Sequence, residues 1–461
     1  MGLREDIQNL GRRFAEAFTG RRAELLIGVP GRINLIGEHT DYNGFPVMPM
    51  AIERSVRLAV AARQDGRVEL RNVERERYPD RRFRLSEDIP PYANGDWGNY
   101  FKAAAQSVVE LAVGWGRQVG ALRGVSCLVE GDIPPAAGLS SSTALVVAAG
   151  LAFCAANGLE MSRAALAERM AEAEHYVGTQ GGGMDQAVCL LAHAGEALKV
   201  DFFPLDVQRI PFPADHCIVA AHSTVKAEKT GRRRPHYNRR VIECSLGAQL
   251  LARELGLAAP EAGGPDAAPR LADLVARTGR APAQIVELLE HLLDGDEGLT
   301  LKRAAGLFDL EPGEFARRFL RMKDGSLLPM PGHGLRVLPR CRHVFGEAER
   351  TERAADCLRG GDLEEFGRLM NESHRSCAQH YEISVPELDE LVLLMRQAGA
   401  LGARLTGAGF GGFAIALAQE QRAGDVTLAV QKEFYAPRGL PTADNVFVFR
   451  PAEGAVLEEL P

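Results

Sequence analysis

Two periods of apolar side chains run through this sequence, and the switches between them mark out its elements. Residues 3–19 carry apolar positions at helical spacing and predict an amphipathic helix. Strand-like runs follow at 23–29, 54–62 and 68–73, the second with Val56, Leu58 and Val60 alternating with other residues. A helix at 99–113, a strand at 124–130 and helices at 144–156 and 163–176 come next. Strands are predicted again at 197–201 and 216–221. From about 245 to 350 the pattern is mostly helical, as at Ile285, Val286, Leu288, Leu289, Leu292 and Leu293. Residues 258–269, rich in Ala, Gly and Pro, predict an exposed loop. Two strand-like runs, 412–417 and 445–449, come last. Helices and strands mix without a strict βα repeat, so the expected class is α+β rather than a doubly wound sheet.

Length and charge narrow this further. At 461 residues the chain exceeds one ordinary core, and two domains are expected, 1–210 and 211–461, the second carrying the helical region at about 245–350. A hydrophobic content of 46% and a charged content of 25% match a globular protein in water. The net charge of -7 argues against nucleic acid as a partner. The local exception, Arg232, Arg233, Arg234, Arg239 and Arg240, reads as a solvated loop or a set of salt bridges. None of the eight cysteines forms a CxxC pair, which excludes the usual zinc and redox spacings and suggests free thiols in a reducing compartment. Met1 to Asp6 show no secretory pattern, and the longest apolar stretch, 144–156, is shorter than the roughly 20 residues that span a bilayer. The expectation is a cytoplasmic protein with no membrane partner. The sequence is silent on oligomeric state.

The chemistry is concentrated in a few short runs. Residues 31–44, GRINLIGEHTDYNG, put Arg32, Glu38, His39, Asp41 and Tyr42 in one window between apolar flanks. Carboxylates accept hydroxyl protons and imidazole donates or accepts, so Glu38, His39 and Asp41 suit a sugar. Residues 131–144, GDIPPAAGLSSSTA, lie between a strand and an apolar helix. Small residues let backbone approach a ligand, and a helix start offers N–H groups to an anion. Gly138, Leu139, Ser140, Ser141 and Ser142 are therefore candidate phosphate contacts, although a Ser-rich helix start is also an ordinary cap. No Walker A loop and no protein-kinase H-R-D or D-F-G set occurs. Residues 405–412, LTGAGFGG, form a third glycine-rich run. Residues 181–186, GGGMDQ, place Asp185 after three glycines. Glu172 and Glu174 read as carboxylates on a polar helix face.

The first run resembles the first motif of galactokinases, a family within the GHMP small-molecule kinases. The second is similar to the GHMP motif P-x-x-x-G-L-S-S-S-A, with Pro134, Gly138, Leu139 and Ser140 to Ser142 matching and Thr143 where Ala is usual. The third resembles the third motif, and 183–186 the G-x-M-D-Q segment. Residues 97–100 (WGNY), 237–240 (YNRR) and 371–374 with 386–389 match further stretches, so the likeness runs from about 23 to 449.

The resemblance implies a two-domain GHMP fold. Its N-terminal domain is like domain 2 of ribosomal protein S5, its C-terminal domain is ferredoxin-like, and the active site lies in the cleft between them. It implies a sugar 1-kinase using ATP and Mg²⁺, with galactose as the small-molecule partner. In this reading Asp185 is the base toward the C1 hydroxyl, and Arg32 lies between it and the γ-phosphate. Glu38, His39, Asp41, Gly183 and Tyr237 hold the sugar, Trp97 lies near the adenine, and Ser142 and Glu174 hold the metal. Residues 176–185 look like the branch that includes N-acetylgalactosamine kinases, while Tyr237 tilts toward galactose because the N-acetyl kinases tend to have phenylalanine there. Two other readings stay open: a catalytically silent sugar sensor, disfavoured by the intact Ser140–Ser142, Arg32 and Asp185, and a mevalonate or homoserine kinase, disfavoured by the Glu38-His39-x-Asp41 clamp.

Overall fold

The computed structural model describes residues 3–134, 138–178, 181–226, 234–257, 269–321, 326–442 and 444–460. Residues 135–137 of the Ser-rich run, Thr179 and Gln180, Arg232 and Arg233, and the expected loop at 258–268 lie outside the described residues. The strands in chain order are β1 (Leu25–Ile36), β2 (Met48–Arg63), β3 (Arg67–Asn72), β4 (Arg81–Arg84), β5 (Gly124–Gly131), β6 (Glu196–Asp201), β7 (Asp206–Pro211), β8 (His216–His222), β9 (Gly402–Thr406), β10 (Phe413–Gln419), β11 (Val446–Phe449) and β12 (Val456–Glu459). The helices that position the site are α1 (Leu3–Ala17), α2 (Gly98–Gly114), α3 (Ser141–Ala156), α4 (Arg163–Ala173), α5 (Met184–Leu191) and α6 (Arg234–Glu254). They continue with α7 (Leu271–Thr278), α8 (Pro282–Leu292), α9 (Leu301–Leu307), α10 (Pro312–Phe319), α11 (Val337–Gly360), α12 (Leu363–Ser376), α13 (Pro386–Gln397) and α14 (Glu420–Val430). The fold is α+β, as expected.

Six strands form the first sheet in the order β12-β1-β2-β5-β3-β4; only β3 and β5 are parallel. Both faces of this sheet are covered. Leu25, Ile27 and Val29 face the main core under α2 and α3, while Leu26 meets Ile7, Leu10, Phe14 and Phe18 of the α1 side. A strand covered on both faces has no solvent side, which is why β1 reads as an unbroken apolar run. The run also continues further than its first seven residues predict. Backbone pairing with β2 carries β1 on to Ile36, so the first half of the sugar-like motif is strand and only the second half is turn.

The second sheet, β11-β8-β10-β9, is antiparallel throughout. Its two faces serve different cores. Ile218, Ala220 and Ile415 join the main core, while Val219, Ala221, Ala414 and Ala416 pack on the other side with residues of α6, α11, α13 and α14. The helical region runs from α6 to α11. The last strand, β12, crosses back to pair with β1, Leu25 opposite Glu459 through Gly28 opposite Val456.

Candidate active site

Two chain segments converge on Asp185. Arg32, fully buried near the middle of β1, donates from Nε to Asp185 Oδ1 at 2.7 Å, with Nη2 2.6 Å from the same oxygen. Its Nη1 donates to the carbonyl of Gly138 at 2.7 Å. Ser140 Oγ donates to the other carboxylate oxygen, Oδ2, at 2.5 Å. Asp185 lies in the first turn of α5, where the helix dipole also favours a negative charge. For Arg32 burial opposes the charge, but Asp185 and Glu38 outweigh it and raise the guanidinium pKa above its ordinary value.

The phosphate-like side is shaped by backbone. Gly138 has φ +80 and Ser140 φ +61, so the chain turns through left-handed conformations just before α3 begins at Ser141. The first-turn N–H groups of a helix have no partner within it, which suits an anion. The third glycine-rich run closes against this loop: a Cβ on Gly407 would come within 2.8 Å of the Gly138 carbonyl. Ser141 and Ser142 are half-buried at the helix start.

Glu174 departs from the expected polar helix face. Glu172 is exposed, but Glu174 sits in the 3-10 turn Glu174–Val177 after α4 and is buried. It accepts a hydrogen bond from Thr143 Oγ1 at 2.5 Å. The threonine that replaces the usual alanine is therefore a partner of this carboxylate, and its spacing alone gave no sign of it. Among the described residues no group of three or more His, Cys, Asp or Glu is arranged to hold a metal. A magnesium ion needs only one or two protein oxygens beside nucleotide phosphates, and Glu174 with the Ser142 hydroxyl fits that donor set.

The sugar-like motif forms the opposite wall. Arg32, Glu38, His39, Asp41, Glu174, Gly183, Asp185, Tyr237, Gly407 and Ala408 line one small cavity. Burial comes first among the causes that push the Tyr237 hydroxyl well above its usual pKa, and the charges of Asp41, Asp185, Glu174 and Glu38 add to it. Glu38 Oε1 accepts from Gly407 N–H at 2.8 Å and from Arg404 Nη1 at 3.3 Å. Burial raises the Glu38 pKa, and Arg404, Arg32 and the Gly407 N–H pull against that rise. His39 has protein partners on both ring nitrogens: Nε2 lies 3.2 Å from the Ala408 carbonyl and Nδ1 2.8 Å from Tyr42 Oη. A carbonyl only accepts, so Nε2 carries a proton and donates to Ala408, while Nδ1 shares a hydrogen bond with Tyr42 Oη. Tyr42 Oη in turn meets Tyr381 Oη at 2.7 Å. Asp41 Oδ2 accepts from Gly182 N–H at 3.1 Å. Gly182 has to be glycine for that contact, since a Cβ there would lie 2.4 Å from Tyr42 N.

Trp97 falls elsewhere. Its ring packs on Tyr78 and Phe101 in the main core, and Nε1 donates to the Pro79 carbonyl at 3.0 Å. Sequence reading also missed Tyr381, Arg404 and Glu347, which close the sugar side from the second half of the chain. Arg404 stands three residues before Gly407, the nearest thing to a signal. A larger cavity, about 950 Å³, opens beside the small one between α4, α6 and α10 and shares Gly183 with it. It does not contain the Arg32–Asp185 pair, so the chemistry belongs to the smaller cavity.

Family models match three stretches: the galactokinase galactose-binding signature at residues 12–62, the GHMP kinases N terminal domain at 99–193 and the GHMP kinases C terminal at 354–436. The fold and site thus define the class, a GHMP small-molecule kinase. The chain is 30% identical to a galactokinase of Dictyostelium discoideum over 98% of its own length and 93% of that protein's. It is likewise 30% identical to a galactokinase of Saccharomyces cerevisiae, covering 99% and 96%. A crystal structure of Lactococcus lactis galactokinase complexed with galactose superposes with a TM-score of 0.74 at 27% identity, covering 98% of this chain and 99% of that one. The chain belongs to the galactokinase family.

Proposed function

We propose that this protein is an ATP-dependent sugar 1-kinase that converts α-D-galactose to galactose 1-phosphate. One observation carries the reading: a carboxylate, Asp185, with Arg32 on one oxygen and Ser140 on the other, in a cavity shared with Glu38, His39, Asp41, Gly183 and Tyr237. Asp185 takes the proton of the C1 hydroxyl as that oxygen forms its bond to the γ-phosphorus of ATP, the bond from that phosphorus to the β–γ bridging oxygen breaks, and ADP leaves. Arg32 keeps Asp185 ionised and offsets charge on the transferring group. ATP supplies the phosphoryl group, and Mg²⁺, when bound, neutralises its oxygens. Gly138, Leu139 and Ser140 to Ser142 would hold phosphates, and Ser142 and Glu174 would hold the metal, with Thr143 orienting Glu174. Glu38, Asp41, Gly183 and Tyr237 would meet sugar hydroxyls. His39 would do so only by exchanging its Tyr42 or Ala408 partner. Trp97, enclosed in the core, is given no direct contact. Eight free thiols, seven of them buried, favour a reducing compartment such as the cytoplasm.

The test is an ATP-consumption assay with Mg²⁺ on galactose, N-acetylgalactosamine, glucose and arabinose. Turnover fastest on galactose is the expected result. Preference for N-acetylgalactosamine keeps the mechanism and overturns the substrate. Sugar binding without turnover on any of the four overturns the enzyme reading in favour of a sensor.

A further inference from the structure

The turn that carries Glu38 and His39 is held in an unfavourable conformation. Gly37 has φ +95 and His39 φ +63, and a side-chain-bearing residue adopts the left-handed region only when its surroundings impose it. The surroundings here belong to α11. Glu347, with none of its surface exposed, accepts at Oε1 from Gly37 N–H at 3.0 Å, Glu38 N–H at 3.3 Å and Ser373 Oγ at 2.5 Å. Its Oε2 accepts from Arg350 Nε at 2.8 Å. One helical turn earlier, His343 places Nε2 3.0 Å from the Glu38 carbonyl and Nδ1 2.9 Å from Ser376 Oγ.

The charges are linked as well as the backbone. The Arg404 guanidinium stands between two carboxylates, 3.3 Å from Glu38 and 3.7 Å from Glu347. Burial works against a charge on Glu347, but Arg350, Arg404, His343 and Ser373 hold it below the usual carboxylate range. Glu347 therefore stays ionised and shares Arg404 with the carboxylate that faces the sugar cavity. Ser373 lies in the 371–374 stretch whose sequence resembles the galactokinase family, and this bond ties that stretch to the 37–39 turn through Glu347.

We propose that Glu347 is a positioning residue for the acceptor sugar: from α11 it fixes the 37–39 turn and so sets how Glu38 and His39 present themselves. The proposal rests on the sugar-kinase reading above. It concerns one substrate of the two, because among the described residues no hydrogen bond or ion pair of Glu347 reaches the Ser140–Ser142 helix start.

The experiment compares Glu347→Gln with wild type. Gln keeps the shape but removes the charge and one acceptor's strength. The expected result is a galactose KM raised about tenfold, with the ATP KM unchanged within about twofold. Ser373→Ala, which takes one donor from Glu347 and leaves all charges, should raise the galactose KM about threefold and carries the test if Glu347→Gln does not fold. Galactose affinity by calorimetry without ATP gives the same comparison independent of turnover. Equal changes in both KM values, or a lowered Tm with galactose affinity intact, would overturn the proposal. Wild type that binds galactose but turns over none of the four sugars would overturn the kinase reading, and the calorimetric comparison would still decide the role of Glu347.

Discussion

At its phosphate end most of the site's contacts span tens of residues, with Arg32 and Gly407 reaching Gly138 from further off; at its acceptor end they span hundreds. Ser140 and Asp185 are 45 residues apart and Thr143 and Glu174 only 31. Gly37 reaches Glu347 across 310 residues, and Glu38 reaches Gly407 across 369. The proposed phosphate end is built on a strand, a turn of small residues and a helix start, because backbone N–H groups and a few hydroxyls would do the binding. The acceptor end must orient side chains toward particular hydroxyls, and it recruits a buried ionic cluster from both sheets to do so. The end proposed to hold phosphate is the more local of the two, and the end proposed to hold the sugar depends on the two halves meeting.

Five measurements break or sharpen that contrast. The largest effect should come from Asp185→Asn, which keeps the shape and removes the base: kcat should fall about 10³-fold, with galactose affinity by calorimetry within a fewfold of wild type. Wild-type turnover in this variant would rule out Asp185 as base. Arg32→Leu leaves the buried carboxylate without its cation and should lower unfolding stability by about 3 kcal/mol in urea titration; an unchanged midpoint would mean the pair contributes only to catalysis.

The acceptor end also predicts a pH effect. Burial is the main cause that holds His343 down to about 4 from an ordinary 6.5, with Arg350 and Arg404 adding to it and Glu347 opposing. Between those values the unfolded chain holds a proton that the folded one refuses, so stability should fall as pH drops from 6.5 toward 4. The full loss is about 3 kcal/mol. His343→Gln, which keeps a donor for the Glu38 carbonyl, should flatten that slope relative to wild type.

At the phosphate end, Thr143→Ala removes a hydrogen bond to a buried carboxylate. It should cost about 2 kcal/mol and raise the Mg²⁺ concentration for half-maximal rate severalfold, with the galactose KM unmoved. The smallest effect is a control away from both ends. Ser162 caps α4 by accepting from Ala165 N–H, and Ser162→Ala should cost about 1 kcal/mol while leaving both substrates' KM values alone.

Much of this was legible beforehand. Apolar periodicity located α1, α2, α3 and β5 within a few residues, and the motif runs named Arg32, Asp185, Glu38, Asp41 and the Ser-rich helix start. What was missed shares one cause. Glu174 looked like a surface carboxylate because helical spacing says which residues share a face but not what that face meets. The packing of Trp97 on Tyr78 and Phe101 likewise had no signal in its spacing. The short strand β12 carried no pattern strong enough to predict, since it has only four residues and its pairing with β1 is long-range.

By itself the sequence determined the α+β class and, through its motif runs, named Arg32, Asp185 and the Ser-rich helix start as candidates, because these follow from periodicity and from residues near one another within each run. The tertiary structure alone decided that Thr143 would hold Glu174 and that Glu347, His343 and Arg404 would hold the acceptor turn. Those are contacts between buried polar groups, and a polar residue's partner is fixed by where the fold leaves it without water, which no local pattern records.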